Sequence, residues 1–207
     1  MSDTRVGSSP HSLELVCSLA HGSVDGPVWH VDWSPRGRTL ASCAADRTIR
    51  LWQPAAEGGV CVPFACTAVL EEGHHRTIRW VSWAPCGSLL ASCSFDGIAM
   101  VWRCEEAGEF DCVASLEGHE NEVKAVAWSR SGQYIATCGR DKSVFVWEAE
   151  DEQFDVAAVM HSHTQDVKMV AWHPSEEAHA ITHTITITTA ITTTTIITTI
   201  IMWNPSD

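Results

Sequence analysis

Trp83–Trp102 reads WAPCGSLLASCSFDGIAMVW, and its length, turn residues and closing tryptophan recur along the chain. The same frame holds Trp33–Trp52, WSPRGRTLASCAADRTIRLW, and Trp128–Trp147, WSRSGQYIATCGRDKSVFVW. Within each segment the two tryptophans are 19 residues apart, and the three align without a gap. The first tryptophans, continued to Trp172, follow one another by 50, 45 and 44 residues. That period is close to the ~40–45 residues of a four-stranded propeller blade. The runs between turns are short and rich in Val, Ile and Trp. They are broken by Pro35 with Gly37 and Pro85 with Gly87, which favours strands over the helical solenoids of similar period. The expectation is an all-β propeller with three complete blades and the start of a fourth.

A polar pattern rides on the same frame. His74, Ser92, Asp96 and Trp102 in one unit correspond to His119, Thr137, Asp141 and Trp147 in the next, with each Asp 22 residues after its His. The first unit offers His21, Ser42, Asp46 and Trp52, with a longer loop after the His. A His, a hydroxyl and an Asp invite comparison with a hydrolytic triad, which would make the chain a hydrolase. A triad occurs once, however, and displays its nucleophile on a strained elbow of the G-x-S-x-G type, absent here. A set that recurs once per blade points to structure. Asp accepts from turn amides and His, His bonds the hydroxyl, and the hydroxyl meets the indole N–H, so that buried polar groups costing ~1–3 kcal/mol each are satisfied. No catalytic residue and no cofactor are expected.

Composition bounds the partners. The 207 residues carry a formal charge of −13, from 13 Lys plus Arg against 26 Asp plus Glu. This disfavours a nucleic-acid backbone as a direct ligand. No stretch has the length and apolarity of a membrane span, and Met1 to Ser12 lack the apolar core of a signal peptide. These features lead to the expectation of a soluble intracellular protein. The nine cysteines are scattered. Cys43, Cys93 and Cys138 recur three residues before each Asp and read as small buried thiols, not ligands. His161, His163 and His173 lie close together. His163 occupies the blade-opening position and His173 a Trp-x-Pro turn, so no metal site is expected.

The His-to-Trp pattern from about residue 13 to residue 177 resembles the WD-repeat superfamily. The run LEGHENEVKAVAWSRSGQYIATCGRDKSVFVWEAEDEQFDVAAVMHSHTQDVKMVAWHPSEE (116–177) is more specific. It resembles the WD-repeat subunit of the cytosolic iron-sulfur protein assembly targeting complex, as does EGHHRTIRWVSWAPCGSLLASCSFDG (72–97). The resemblance implies a seven-bladed, non-enzymatic scaffold that binds no cluster itself. Such a scaffold joins a small assembly partner to a HEAT-repeat adaptor and helps deliver clusters to cytosolic and nuclear apoproteins. It implies a cytoplasmic location, with the nucleus as a second compartment, and marks Arg140 as a partner-facing residue. The rival reading is a generic WD adaptor, such as a substrate receptor or signalling scaffold.

Strand reversal supports the choice of Arg140 independently. The loop entering a blade's first strand and the turn between its second and third lie on one face. Arg76, Asn121, Glu122, Gln165 and Asp166 are therefore expected beside Arg140, together with His75 and Thr77.

The pattern ends near residue 177. Residues 181 to 200 comprise 11 Thr, 7 Ile, one His and one Ala. His163 should find its Asp at 185, where Ile185 stands, and Trp203 follows Trp172 by 31 residues. Such a tract has strand-forming side chains but no turn chemistry. A simple nucleotide repeat, a misjoined gene or a low-complexity insertion would each account for it; a membrane helix is disfavoured by the hydroxyls. The expected organisation is an N-terminal tail (1–12), propeller blades (13–177), a Thr/Ile-rich segment (178–202) and a C-terminal end (203–207). Later blades are expected to be missing. Ring closure is expected to involve a strand near Leu13 to Leu19.

Overall fold

The computed structural model describes residues 17–21, 26–55, 63–104, 109–151, 153–172, 183–192 and 195–203. Three four-stranded antiparallel sheets follow in chain order. The first holds β1 (Val28–Trp33), β2 (Leu40–Ala44), β3 (Ile49–Pro54) and β4 (Phe64–Leu70). The second holds β5 (Ile78–Trp83), β6 (Leu89–Ser94), β7 (Ala99–Cys104) and β8 (Phe110–Leu116), and the third β9 (Val123–Trp128), β10 (Tyr134–Gly139), β11 (Val144–Glu150) and β12 (Gln153–Met160). Each sheet pairs its strands in sequence order, and the first strands lie against one another, β1 on β5 and β5 on β9. This is the expected blade architecture. The tail 1–12 and most of the predicted closing strand lie outside the described residues, and 17–21 carry no strand.

Blades pack face to face. Ala41, Cys43, Ile49 and Leu51 of the first meet Ile78, Val81, Trp83, Leu90 and Trp102 of the second. Ala91, Cys93, Ala99 and Val101 of the second meet Val123, Val126, Trp128, Ile135 and Trp147 of the third. Small residues on one face thus receive large ones on the next, as close packing of two sheets requires. The three recurrent cysteines sit in these seams as buried thiols. Burial pushes the Cys43 thiol up to about 12, and shifts Cys93 and Cys138 in the same direction.

Identical positions have different fates. Val81 and Val126 are 0% exposed, whereas Val31 at the same place in the first blade is 52% exposed; Trp83 is 7% and Trp33 49% exposed. The large-residue face of the first blade has no sheet against it among the described residues.

The Thr/Ile tract departs from the expectation of an isolated segment. Strand β13 (Met169–Trp172) packs on β9 and pairs with β14 (His183–Thr192), which pairs with β15 (Thr195–Trp203). β-Branched residues favour extended backbone strongly enough to continue the sheet. The result is three strands in order β13-β14-β15, not a fourth complete blade. Trp172 is registered with Ile185, 13 residues on, whereas Trp83 and Trp128 meet Leu90 and Ile135 seven residues on. Only residues 193 and 194 separate β14 from β15, where the complete blades have four residues that include the tetrad Asp.

These seams predict opposite outcomes for one substitution at equivalent positions. In this 207-residue chain Val81→Ala should cost about 2 kcal/mol, from two lost methyls plus the cavity. Val31→Ala should stay within about 0.5 kcal/mol. Urea denaturation midpoints at constant slope compare the two; equal losses would mean that a further surface covers the first blade.

Candidate docking face

The side-chain tetrads explain how the loops are fixed. In the second blade the Trp102 indole N–H donates to Ser92 Oγ at 2.8 Å, and Ser92 Oγ lies 2.8 Å from His74 Nε2. His74 Nδ1 lies 3.0 Å from Asp96 Oδ2. A carboxylate only accepts, so Nδ1 donates to it, leaving Nε2 to accept the seryl proton. Asp96 also accepts from the backbone N–H of His75 at 2.9 Å and of Ile98 at 3.0 Å. One carboxylate thereby joins the blade-opening loop to the turn between β6 and β7. The third blade repeats the chain: Trp147 to Thr137 at 3.0 Å, Thr137 to His119 at 2.9 Å, and His119 to Asp141 at 2.7 Å. Asp141 accepts from the N–H of Glu120 and of Ser143, each at 3.0 Å. Ser92 is fully buried, as is Thr137.

The first tetrad differs from the sequence expectation. Trp52 donates to Ser42 at 2.8 Å and His21 Nδ1 lies 3.2 Å from Asp46, but His21 Nε2 is buried without a partner. Ser42 instead donates to the carbonyl of Arg50 at 3.4 Å. The two preceding residues account for the gap. Gly73 and Gly118 stand before the closed histidines, where an added Cβ would come 2.8 Å from Met100 Sδ and 2.8 Å from Phe145 Cε1. The first blade has Ala20 and Arg50 in those places. A loop bearing a Cβ cannot press as close, and the imidazole stops short of the hydroxyl. In the fourth repeat His163 Nε2 is likewise buried and unpartnered, in keeping with Ile185 replacing the Asp.

The tetrads bring the predicted face together. Repeated backbone bonds clip each turn to its loop: Ala45 N–H to Pro27 C=O at 3.1 Å, Phe95 to Thr77 at 3.0 Å, and Arg140 to Glu122 at 2.9 Å. Glu122 is the hub. One oxygen lies 3.3 Å from Arg76 Nη2; the other lies 2.5 Å from Lys124 Nζ and 3.7 Å from Arg140 Nη1. The hydrogen bond from Lys124 holds the Glu122 carboxyl below its ordinary range against a counteracting burial effect, with Arg140 and Arg76 adding to the depression. Asp166 is lowered first by Lys168, 3.0 Å away, and further by Arg140 and Lys124. The Arg140 side chain is 55% exposed, so its guanidinium remains accessible.

Two predicted residues have more local tasks. Asn121 Oδ1 accepts from the Glu122 N–H at 2.9 Å, and Arg76 Nη1 donates to the Phe95 carbonyl at 2.6 Å. Gln165 is exposed. Lys124 and Phe95 were missed by the sequence reading. Phe95 occupies the turn position of Arg140 in the preceding repeat, and Lys124 follows Glu122 by two, so aligning the repeats position by position would have exposed both. Among the described residues no group of three or more His, Cys, Asp and Glu could hold a metal ion. His161 is exposed, and His173 lies outside the described residues.

Replacing Asp141 with Ala should cost about 1–3 kcal/mol, because it strands His119 and two amides. Asp46→Ala should cost less, since its chain is already open; equal losses by urea denaturation would show that the His-to-hydroxyl link contributes nothing. The acid limb carries the same information. Burial raises Asp96, but the bond and charge of His74 and the amides of His75 and Ile98 outweigh it and hold the carboxyl at about 2. Its unfolded value is ~3.9. The contribution is complete above that value and is lost as pH falls through the folded one. Asp96→Asn should lower stability at pH 7 and flatten the loss between about pH 4 and pH 2; an unaltered slope there would place the acid sensitivity elsewhere.

Comparison with known proteins agrees with this geometry. The family of the WD domain, G-beta repeat, matches residues 13–53, 64–103 and 110–148. Over 57 residues the chain is 53% identical to the probable cytosolic iron-sulfur protein assembly protein ciao1 of Xenopus tropicalis, covering 28% of this chain and 16% of the relative. It is 51% identical over 57 residues to CIAO1 of Homo sapiens, covering 28% and 15%. For the CIAO1 homolog of Chlamydomonas reinhardtii the identity is 47% over 73 residues, 34% of this chain and 19% of the relative. Each match therefore spans less than a fifth of the curated relative's length. Three matched repeats, three four-stranded blades and two closed tetrads together place this chain in the WD-repeat family.

Proposed function

We propose that the chain is part of a non-enzymatic scaffold of the cytosolic iron-sulfur protein assembly machinery. It presents the face around Arg140 and Glu122 to protein partners. The observation that carries this reading is the near-50% identity to relatives named as cytosolic iron-sulfur assembly proteins, over a stretch longer than one repeat. The tetrads support the absence of catalysis: their hydroxyls are buried and committed to indole and imidazole, leaving no nucleophile at the surface.

The partners in this proposal are a small assembly protein, a HEAT-repeat adaptor and iron-sulfur apoproteins of cytosol and nucleus. The scaffold holds no cofactor of its own and works in the cytoplasm, with the nucleus as a second compartment. The face suits recognition because its charges are mixed in sign and held by rigid loops, an arrangement that sets orientation and rejects wrong partners more than it adds raw affinity.

Affinity capture from cytosolic extract tests the proposal. Wild type should recover the HEAT-repeat adaptor and iron-sulfur apoproteins. Arg140→Glu should lose them by about tenfold while its denaturation midpoint stays within about 0.5 kcal/mol of wild type. Recovery of unrelated proteins alone would indicate a generic adaptor instead, and equal recovery by both chains would reduce Arg140 to a solvated side chain.

A further inference from the structure

The innermost strands carry a second periodic feature. Four residues before the first tryptophan of each repeat stand Trp29, Arg79, Lys124 and Lys168. In β1, β5 and β9 this residue is a bulge. The register shifts between Val28 and His30, between Ile78 and Trp80, and opposite Cys138 and Gly139, skipping Trp29, Arg79 and Lys124. A bulge re-aims a side chain. Here it takes the residue out of the seam that buries Ile78 and Val81.

Two of the three cations are neutralised by an acid two residues earlier, Lys124 by Glu122 and Lys168 by Asp166. Before Arg79 that place is held by Thr77. Among the described residues no carboxylate lies within ion-pair distance of Arg79, and no side chain or carbonyl takes its hydrogen bonds. Two indoles hold it instead. Its guanidinium carbon lies 4.9 Å from the Trp29 ring centre and 5.8 Å from that of Trp80. Trp80 is stacked on His30 at 3.7 Å, and Trp29 lies 6.3 Å from Phe95, over which Lys124 Nζ sits at 4.1 Å. The rings favour the cation, limit its rotamers and leave the N–H edge without a protein acceptor.

We propose that Arg79 is a carboxylate-binding position on the inner rim of the docking face. It accepts one acidic side chain of a protein partner, whose apolar neighbour rests on Trp29 and Phe95. A planar fork held flat by aromatic rings matches a carboxylate bidentately at reduced entropic cost. The single unneutralised charge selects a monoanion. A phosphate chain would need several free cations and would meet Glu122, Asp166 and a formal charge of −13. This inference rests on the reading of the face as a protein-docking surface and names the chemistry of one subsite within it.

The test uses the full chain and a fluorescein-labelled peptide with both termini capped, alternating Glu and Leu, against its Gln/Leu counterpart. In fluorescence polarisation the Glu peptide should bind about tenfold more tightly, and Arg79→Leu should reduce that ratio to about twofold or less. Lys168→Ala, which removes an already paired cation, should leave the ratio unchanged. Equal binding of the two peptides overturns the proposal, as does a preference that survives Arg79→Leu, or displacement by tripolyphosphate at lower concentration than by the Glu peptide. Should Arg79→Leu fail to fold by circular dichroism, Arg79→Lys decides: loss of the fork should cost at least about threefold, and unchanged binding sinks the idea. Partner capture that still depends on Arg140 while the peptides bind equally would reject this subsite alone; loss of both would reject the docking face.

Discussion

One carboxylate per blade, accepting at once from an imidazole, a loop amide and a turn amide, is the constraint on which the upper face depends. Asp96 and Asp141 each connect three pieces of chain that no continuous strand joins. Water could satisfy the same donors in the unfolded chain, so the net gain per bond is small. The penalty for leaving any of them buried and unmatched is larger. That asymmetry makes each tetrad an all-or-none lock. The loops that carry Glu122 and Arg140 are held in register by the lock at Asp141 and by the backbone bond between the two residues.

The locks weaken away from the centre of the described structure. The second and third blades have complete chains, the first lacks one link, and the fourth repeat lacks its acid altogether. The seams follow the same order. Val81 and Val126 are covered from both sides of their blades, while Val31 and Trp33 face outward. Blade stability is thus a neighbour property, as in other stacked repeats, and the best-formed seam lies between the two blades with complete tetrads. The charged hub of the docking face straddles that seam.

Much of this was legible in the sequence because repetition isolates what each position is for. The spacing of His, hydroxyl, Asp and Trp gave the tetrads, and strand reversal alone gave a common face for Arg140 and the blade-opening loops. Three things were hidden. The open link at His21 depends on a Cβ at Ala20 and a long side chain at Arg50, a packing conflict that spacing does not reveal. The alternation rule assigns Arg79 and Lys124 no special direction, because a bulge in the partner register is invisible along one strand. The Thr/Ile tract was read for its missing turn residues, yet extended backbone needs only a paired neighbour, which β13 provides.

Salt bridges at a solvated rim contribute ~0–1 kcal/mol each, far less than the apolar seams beneath them. Arg76 from the second blade and Arg140 from the third both reach Glu122, but they do not hold the blades together. Their effect is to fix where positive charge stands. A chain with 26 acidic residues against 13 basic ones would otherwise offer a negative field to any partner approaching this face. By collecting Arg76, Lys124 and Arg140 around one acid, the seam carries a local surplus of positive charge against the sign of the whole molecule. Long-range repulsion discourages polyanions, and the local surplus rewards a partner whose acidic group arrives in the right register.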